Sequence, residues 1–186
     1  MSVQVVRRSF TVEEYYRMVE AGILSEDDRV ELLEGEIVEM PPIGSRHASS
    51  VDRLNRLFSQ RVGDRALVRV QNPVRLGPRT EPQPDLALLR PRPDYYAQAH
   101  PGPEDVFLVV EVGETSADFD REVKIPLYAR AGISEVWLLD LGGGHVEVYR
   151  GPTVQGYREV RRVQRGQRLA PEALPDLDLA MDDILG

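Results

Sequence analysis

Apolar positions along the chain fall into blocks with two different periods. Thr11 with Glu14 three residues later has the spacing of a capping box, and TVEEYYRMVEA runs on from it to Gly22, which predicts a first helix. RVELLEGEIVEM reads as two short strands around a Glu34-Gly35 turn. From Ser45 to about Val62, Ala48, Val51, Leu54, Leu57 and Phe58 recur at helical spacing with Arg and Asp on the other side, the pattern of a core-facing helix. ALVRVQ and PDLALL read as strands separated by the Pro-rich NPVRLGPRTEPQ. VFLVVEV is a continuous apolar run of the kind covered on both faces. After it GETSADFD turns into a helix over about REVKIPLYARAG, where Pro126 predicts a kink or a late start. EVWLLD and HVEVYR form a hairpin around residues 141–144, YREVRRV is a further strand, and PEALPDLDLAMDDILG ends the chain as a short strand and a helical turn. RPRPDYYAQAHPGPED, long and Pro-punctuated, reads as a functional cover or a disordered insertion.

This order predicts an α/β (α+β) fold, one layer of mixed sheet with helices against it. With no repeat and no linker, residues 1–186 are expected to form one domain. Its parts are an N-terminal helix and hairpin at about 10–40, a core at about 44–150, and a C-terminal strand and tail over 151–186.

Composition narrows the class. Hydrophobic residues at 41% and charged residues at 29% describe a globular chain and exclude a membrane or disordered one. The opening MSVQVVRRSF lacks the apolar core of a signal peptide, so the expected place is the cytoplasm. There is no cysteine, which removes disulfides, thiolate metal sites and a thiol nucleophile together. The net charge of -8 argues against a surface that coats nucleic acid, though a local basic patch is compatible with it. All but one of the 23 basic residues are arginine, and the exception is Lys124. A compact ammonium is therefore used at a single position, by need or by chance.

One carboxylate breaks the apolar pattern: Glu111 stands inside FLVVEV. A lone buried carboxylate costs several kcal/mol or shifts its pKa until it neutralises, so a partner is required. Strand alternation puts Phe107, Val109, Glu111 and Gly113 on one face and Val110 and Val112 on the other. If PDLALL is the neighbouring strand, Asp85 comes within reach of Glu111, and two carboxylates without sulfur favour a hard cation, Mg²⁺ or Mn²⁺. Such an ion makes phosphodiester hydrolysis the natural chemistry. On the following helix Asp120, Lys124 and Tyr128 share a face at four-residue spacing, so Lys124 could approach Glu111 and orient the nucleophile or offset charge on the phosphate. Each residue alone has a plainer reading: Asp85 as a turn residue, Glu111 as an edge-strand acid, Asp120 and Lys124 as a surface pair. Their conjunction is what those readings leave unexplained.

PD at 84–85, EV at 111–112 and the downstream Lys124 resemble the PD-(D/E)XK nuclease superfamily, and LLEGEIVEM, His47, PDLALL, VVEVGETS, DREVK and YARAGISEVWLLD resemble its Uma-two branch of restriction endonucleases. The likeness extends from about Leu32 onward. It implies a restriction-endonuclease-like core, Asp85 and Glu111 as metal ligands with the backbone carbonyl of Val112 as a third, Lys124 as the catalytic amine, and DNA as the partner, with a homodimer compatible. Gly113 stands where the superfamily has its lysine, and a side chain from the next helix would fill that volume. Glu36 and His47 match further positions of the branch and are assigned lesser roles near the site; Ser116 and Asp120 are expected to order the loop and helix that present Lys124. Asp94 and Asp176, in two further Pro-Asp pairs, lie outside strand patterns.

For the grip on a phosphate backbone, Arg158, Arg161, Arg162, Arg165 and Arg168 concentrate in YREVRRVQRGQR, Arg46, Arg53 and Arg56 lie along the second helix, and Tyr95 and Tyr96 could stack on bases, although each group read alone is better described as an exposed strand or helix face and assigns no specific contact. No Gly-rich phosphate loop, zinc helix or nucleophile elbow is present. The competing functions are a non-catalytic nucleic-acid-binding or assembly module on the same fold, and a phosphodiesterase acting on a small nucleotide.

Overall fold

The computed structural model describes residues 7–25 and 27–186. The opening MSVQVV, on which the signal-peptide reading turns, lies outside the described residues. Helix α1 (Val12–Glu20) begins at the expected capping box, with Thr11 and Glu14 each accepting from the other's backbone N–H. Strands β1 (Val30–Leu33) and β2 (Glu36–Glu39) form a separate antiparallel hairpin. Its two turn residues, Glu34 and Gly35, both have positive φ, the geometry that suits strand twist in a two-residue turn. A Cβ on Gly35 would lie 2.5 Å from Ser9 Cβ, so only glycine fits that approach.

The main sheet has six strands in the order β3-β4-β5-β6-β7-β8. These are β3 (Leu67–Val70), β4 (Leu86–Leu89), β5 (Val106–Gly113), β6 (Glu135–Asp140), β7 (His145–Thr153) and β8 (Gly156–Gln164). Only β5 and β6 run parallel, and the chain crosses between them through α3 (Ala117–Phe119), a π-helical turn (Asp120–Lys124) and α4 (Ile125–Ala131). A small pair, β9 (Arg168–Leu169) with β10 (Leu179–Ala180), leads into α5 (Met181–Leu185).

Helices cover both faces of this sheet. On one face Val51, Leu54, Phe58 and Val62 of α2 (Ser45–Val62) and Met181 and Ile184 of α5 pack on Leu86, Leu88, Leu108, Val110 and Val112. On the other, Ile125 and Tyr128 pack with Ala87, Val109 and Leu138. Each such fully buried aliphatic side chain contributes about 1.5–3 kcal/mol. Among the described residues no helix is long and apolar enough to cross a membrane.

Two local expectations are corrected, and the pairing of the arginines is now on view. Leu88 faces Leu108 but Leu89 faces Val106, so Phe107 is an extra residue in a β-bulge. The bulge turns Phe107 onto the α2 face, away from Val109 and Glu111. The segment over residues 90–105 is an ordered turn-rich loop: Tyr96 is buried and donates through its hydroxyl to the Arg90 carbonyl, so its ring cannot stack on a base, and only Tyr95 is exposed. Most of the arginines named for a phosphate grip are engaged within the chain. Arg46 and Arg53 donate to the carbonyls of Leu141 and Leu185, while Arg162, Arg165 and Arg168 pair with Glu147, Asp182 and Asp178.

Candidate active site

The catalytic candidates meet where the ends of β4 and β5 open beneath the β1–β2 hairpin. β4 and β5 are antiparallel neighbours, with Leu86 opposite Val110, which sets Asp85 at the level of Glu111 and Val112. Asp85 is held from three sides. Its Oδ2 accepts from the Val112 N–H at 2.9 Å and lies 3.0 Å from His47 Nε2, and its Oδ1 accepts from the Gln71 side chain at 3.3 Å. Val112 thus touches Asp85 through its N–H. Burial alone would raise the Asp85 pKa, but the bond and charge of His47, the Lys124 ammonium and the Val112 N–H outweigh it and hold the carboxyl below its usual range. In return, the Asp85 bond raises the pKa of His47.

Lys124 arrives from the crossover. The Ile125 N–H bonds to the Asp120 carbonyl five residues back, closing a turn wider than that of an α-helix. This wide turn immediately precedes Pro126, which lacks an N–H and whose ring crowds a regular turn. In it, residues four apart lie almost above one another, and Asp120, Lys124 and Tyr128 are all buried. The Lys124 ammonium is 3.0 Å from Glu31 Oε1 and 3.1 Å from Glu111 Oε1, and the Tyr128 hydroxyl donates to the same Glu111 oxygen at 2.5 Å. Ser116 donates to Asp120 Oδ2 at 3.0 Å. A side chain at Gly113 has no room, because its Cβ would lie 2.6 Å from Ala117 Cα. The volume left by the absent strand lysine is filled by the start of the helix that carries Lys124.

Four carboxylates therefore surround one ammonium. Burial, reinforced by Asp120, Asp85 and Glu31 against the pull of Lys124, pushes the Glu111 carboxyl up to about 8. Asp120 is raised by burial for the same reason. Burial works against the charge on Lys124, but the surrounding acids, Glu111 and Glu31 foremost, raise its pKa and keep it an ammonium.

Glu31 was not anticipated, although its signal, an acid inside the apolar run VELL, is the one that exposed Glu111. Its Oε1 also accepts from the Gln83 N–H at 3.0 Å, whereas its Oε2 is buried without a partner. Glu36, beside the turn at the far end of the same hairpin, is not brought to the cluster: it is exposed and pairs with Arg7. Asp94 and Asp176 also lie elsewhere, paired with Arg92 and Arg65.

Glu31, His47, Asp85, Glu111, Asp120 and Lys124 line a cleft of about 530 Å³, together with the Met40–Gly44 segment and Asp28 and Arg29. Among the described residues, no set of three or more His, Asp or Glu side chains converges as ligands. Asp85 and Glu111 offer oxygen donors to one cleft, and the deficit of positive charge around Glu111 suits a hard cation that completes its shell with water. The donor chemistry fits Mg²⁺ or Mn²⁺ and offers nothing to a soft metal.

The sequence matches the family described as "Uma2: Putative restriction endonuclease" over residues 12–182. The chain belongs to the Uma2 family. A solved structure described as a "putative nuclease belonging to DUF820" from Anabaena variabilis shares its fold, with a TM-score of 0.75, 18% sequence identity, and coverage of 95% of this chain and 97% of that one. No curated protein matches. With this Uma2 member, the expected mixed sheet flanked by helices is the observed architecture.

Proposed function

We propose that this chain is a divalent-metal-dependent nuclease that hydrolyses DNA phosphodiester bonds. The observation that carries the reading is the convergence of Asp85, Glu111 and Lys124, drawn from two strands and a helix, on one cleft in a chain with a single lysine.

In this reading Asp85 and Glu111 hold the ion, with the Val112 carbonyl beside them. A bound Mg²⁺ or Mn²⁺ supplies Lewis-acid chemistry, drawing charge from a phosphoryl oxygen and making water a stronger acid. His47 keeps Asp85 ionised and fixes its orientation through the 3.0 Å contact. Tyr128 orients Glu111 by donating to Oε1, which leaves the second carboxylate oxygen for the ion. Lys124 places its ammonium against the phosphate, where it offsets the negative charge that develops as water attacks. Ser116 and Asp120 order the turn that delivers Lys124.

The test is cleavage of plasmid and linear DNA with Mg²⁺, Mn²⁺ or chelator. Metal-dependent cutting that Asp85→Asn abolishes supports the reading, and a folded protein that neither binds the ion nor cuts any DNA form sinks it. One observation favours the second reading, a non-catalytic nucleic-acid-binding module: the ammonium already pairs with Glu31 and Glu111. That module predicts a salt-sensitive gel shift without metal and no turnover.

A further inference from the structure

Outside the cluster around Lys124, every buried glutamate of the described core uses both of its carboxylate oxygens, while Glu111 within it is contacted through Oε1. Glu81 accepts from Tyr16 on Oε1 and from Arg75 on Oε2. Glu135 accepts from Trp137 and Arg150 on Oε1 and from the Glu172 N–H on Oε2. Glu147 contacts His145 and Arg162 through Oε1 and accepts from Arg121 and Tyr149 through Oε2. Glu31 differs from these three: its Oε1 takes Lys124 and the Gln83 N–H while its buried Oε2 takes nothing. An unsatisfied buried acceptor costs about 1–3 kcal/mol, and more when charged.

Without this residue the ammonium would still have an acceptor at hand. Glu111 Oε1 lies 3.1 Å from it, and Glu31 adds a second contact at 3.0 Å. The picture changes when a divalent cation takes Glu111. The ion then repels the ammonium and competes for its counter-ion, and a Lys side chain only 4% exposed has no water to fall back on. An ammonium has three N–H donors, so an acceptor already in contact through one oxygen, anchored to backbone and with its second oxygen free, can take over.

We propose that Glu31 is the positioning residue for Lys124, the anchor that holds the ammonium in the cleft once a cation claims Glu111. The inference rests on the metal-dependent reading above and assigns Glu31 a role distinct from holding the ion. Glu31 works through Lys124, and Gln83 holds Glu31 in turn.

Because Lys124 is the only lysine, incorporation of ¹⁵N-labelled lysine gives a single side-chain ammonium signal to follow. In the unmutated protein that signal is expected to shift on Mg²⁺ addition yet stay sharp. In Glu31→Gln it is expected to be sharp without Mg²⁺ and to broaden or vanish with it, while Mn²⁺ affinity measured by calorimetry is retained and kcat falls about tenfold or more. If Glu31→Gln does not fold, Glu31→Asp, which keeps the charge with a shorter reach, is read in its place and is expected to lose order on Mg²⁺ addition to a smaller degree. A variant whose signal and kcat match the unmutated protein overturns the inference alone. So does a variant that loses Mn²⁺ affinity, which would make Glu31 a ligand. Absence of any Mg²⁺ effect on the unmutated protein overturns the metal-dependent reading and this inference with it.

Discussion

Two buried glutamates sit in one row of the sheet. Glu111 on β5 faces Leu138 on β6, which faces Glu147 on β7, which faces Arg162 on β8. Neighbouring strands are about 4.8 Å apart, so the two acids are separated by about 10 Å on the same face. The crossover segment serves both, with Lys124 on Glu111 and Arg121, three residues earlier, on Glu147. Yet the surroundings are opposite. Glu147 receives Arg121, Arg162, His145 and the Tyr149 hydroxyl, and although burial opposes it, those bonds bring its carboxyl down to about 2. Glu111 receives one ammonium that it shares with Glu31, and burial leaves it at about 8. The same residue type in the same row is a finished structural tie in one place and an unbalanced acid in the other. In the proposed reading, that imbalance marks the working end of the sheet.

The largest effect that would sharpen this contrast is on cleavage: Asp85→Asn should lower the Mn²⁺-dependent rate by at least about a thousandfold in a plasmid nicking assay, without loss of fold. Next comes an opposition of sign in stability. Glu147→Gln should destabilise by about 1–3 kcal/mol in urea denaturation, because two arginines lose their shared acceptor. Glu111→Gln should leave stability unchanged or raise it at pH 9 while abolishing cleavage. If both substitutions destabilise equally, the distinction between the two acids fails.

The two acids also shape stability against pH in opposite directions. Glu111 binds its proton more tightly folded than unfolded, so its contribution is whole below its ordinary 4.5 and is lost as pH rises through about 8. Glu147 contributes fully above 4.5 and loses that contribution as pH falls towards about 2. Melting temperatures of the metal-free protein should therefore decline between pH 6 and 9, Glu111→Gln should flatten that alkaline limb, and Glu147→Gln should flatten the acid one. A smaller effect is expected of Tyr128→Phe, which removes the donor to Glu111 Oε1: about tenfold in kcat, from a hydrogen bond to a charged group worth about 1.5 kcal/mol. Smallest of all, Glu36→Gln should leave cleavage and melting temperature unchanged, since its carboxylate is exposed on the far end of the hairpin.

The strand and helix order was legible because burial on both faces leaves apolar runs and one-sided burial leaves a helical stripe. Glu111 was legible as a violation of its run, and Lys124 as the only lysine. Glu31 carried the same kind of violation in VELL but sits in a run of four, too short for one acid to stand out. The bulge at Phe107 follows from the pairing of β4 with β5, and the wide turn at residues 120–124 from hydrogen bonds, so neither is written in periodicity. The state of the arginines was illegible for a related reason. Their number suggested a phosphate grip, but whether a guanidinium is free depends on carboxylates and carbonyls distant in sequence, such as Asp182 and Leu185.

The wide turn before Pro126 holds one residue more than an α-helical revolution, and each residue advances a helix by about 100°. Excising a single codon within 120–124 would swing the amine away from the cleft by about that angle while leaving each strand of the sheet untouched. Under the proposed nuclease reading, a one-residue length change in this short stretch is thus a route by which hydrolytic power could be gained or shed on an unaltered scaffold.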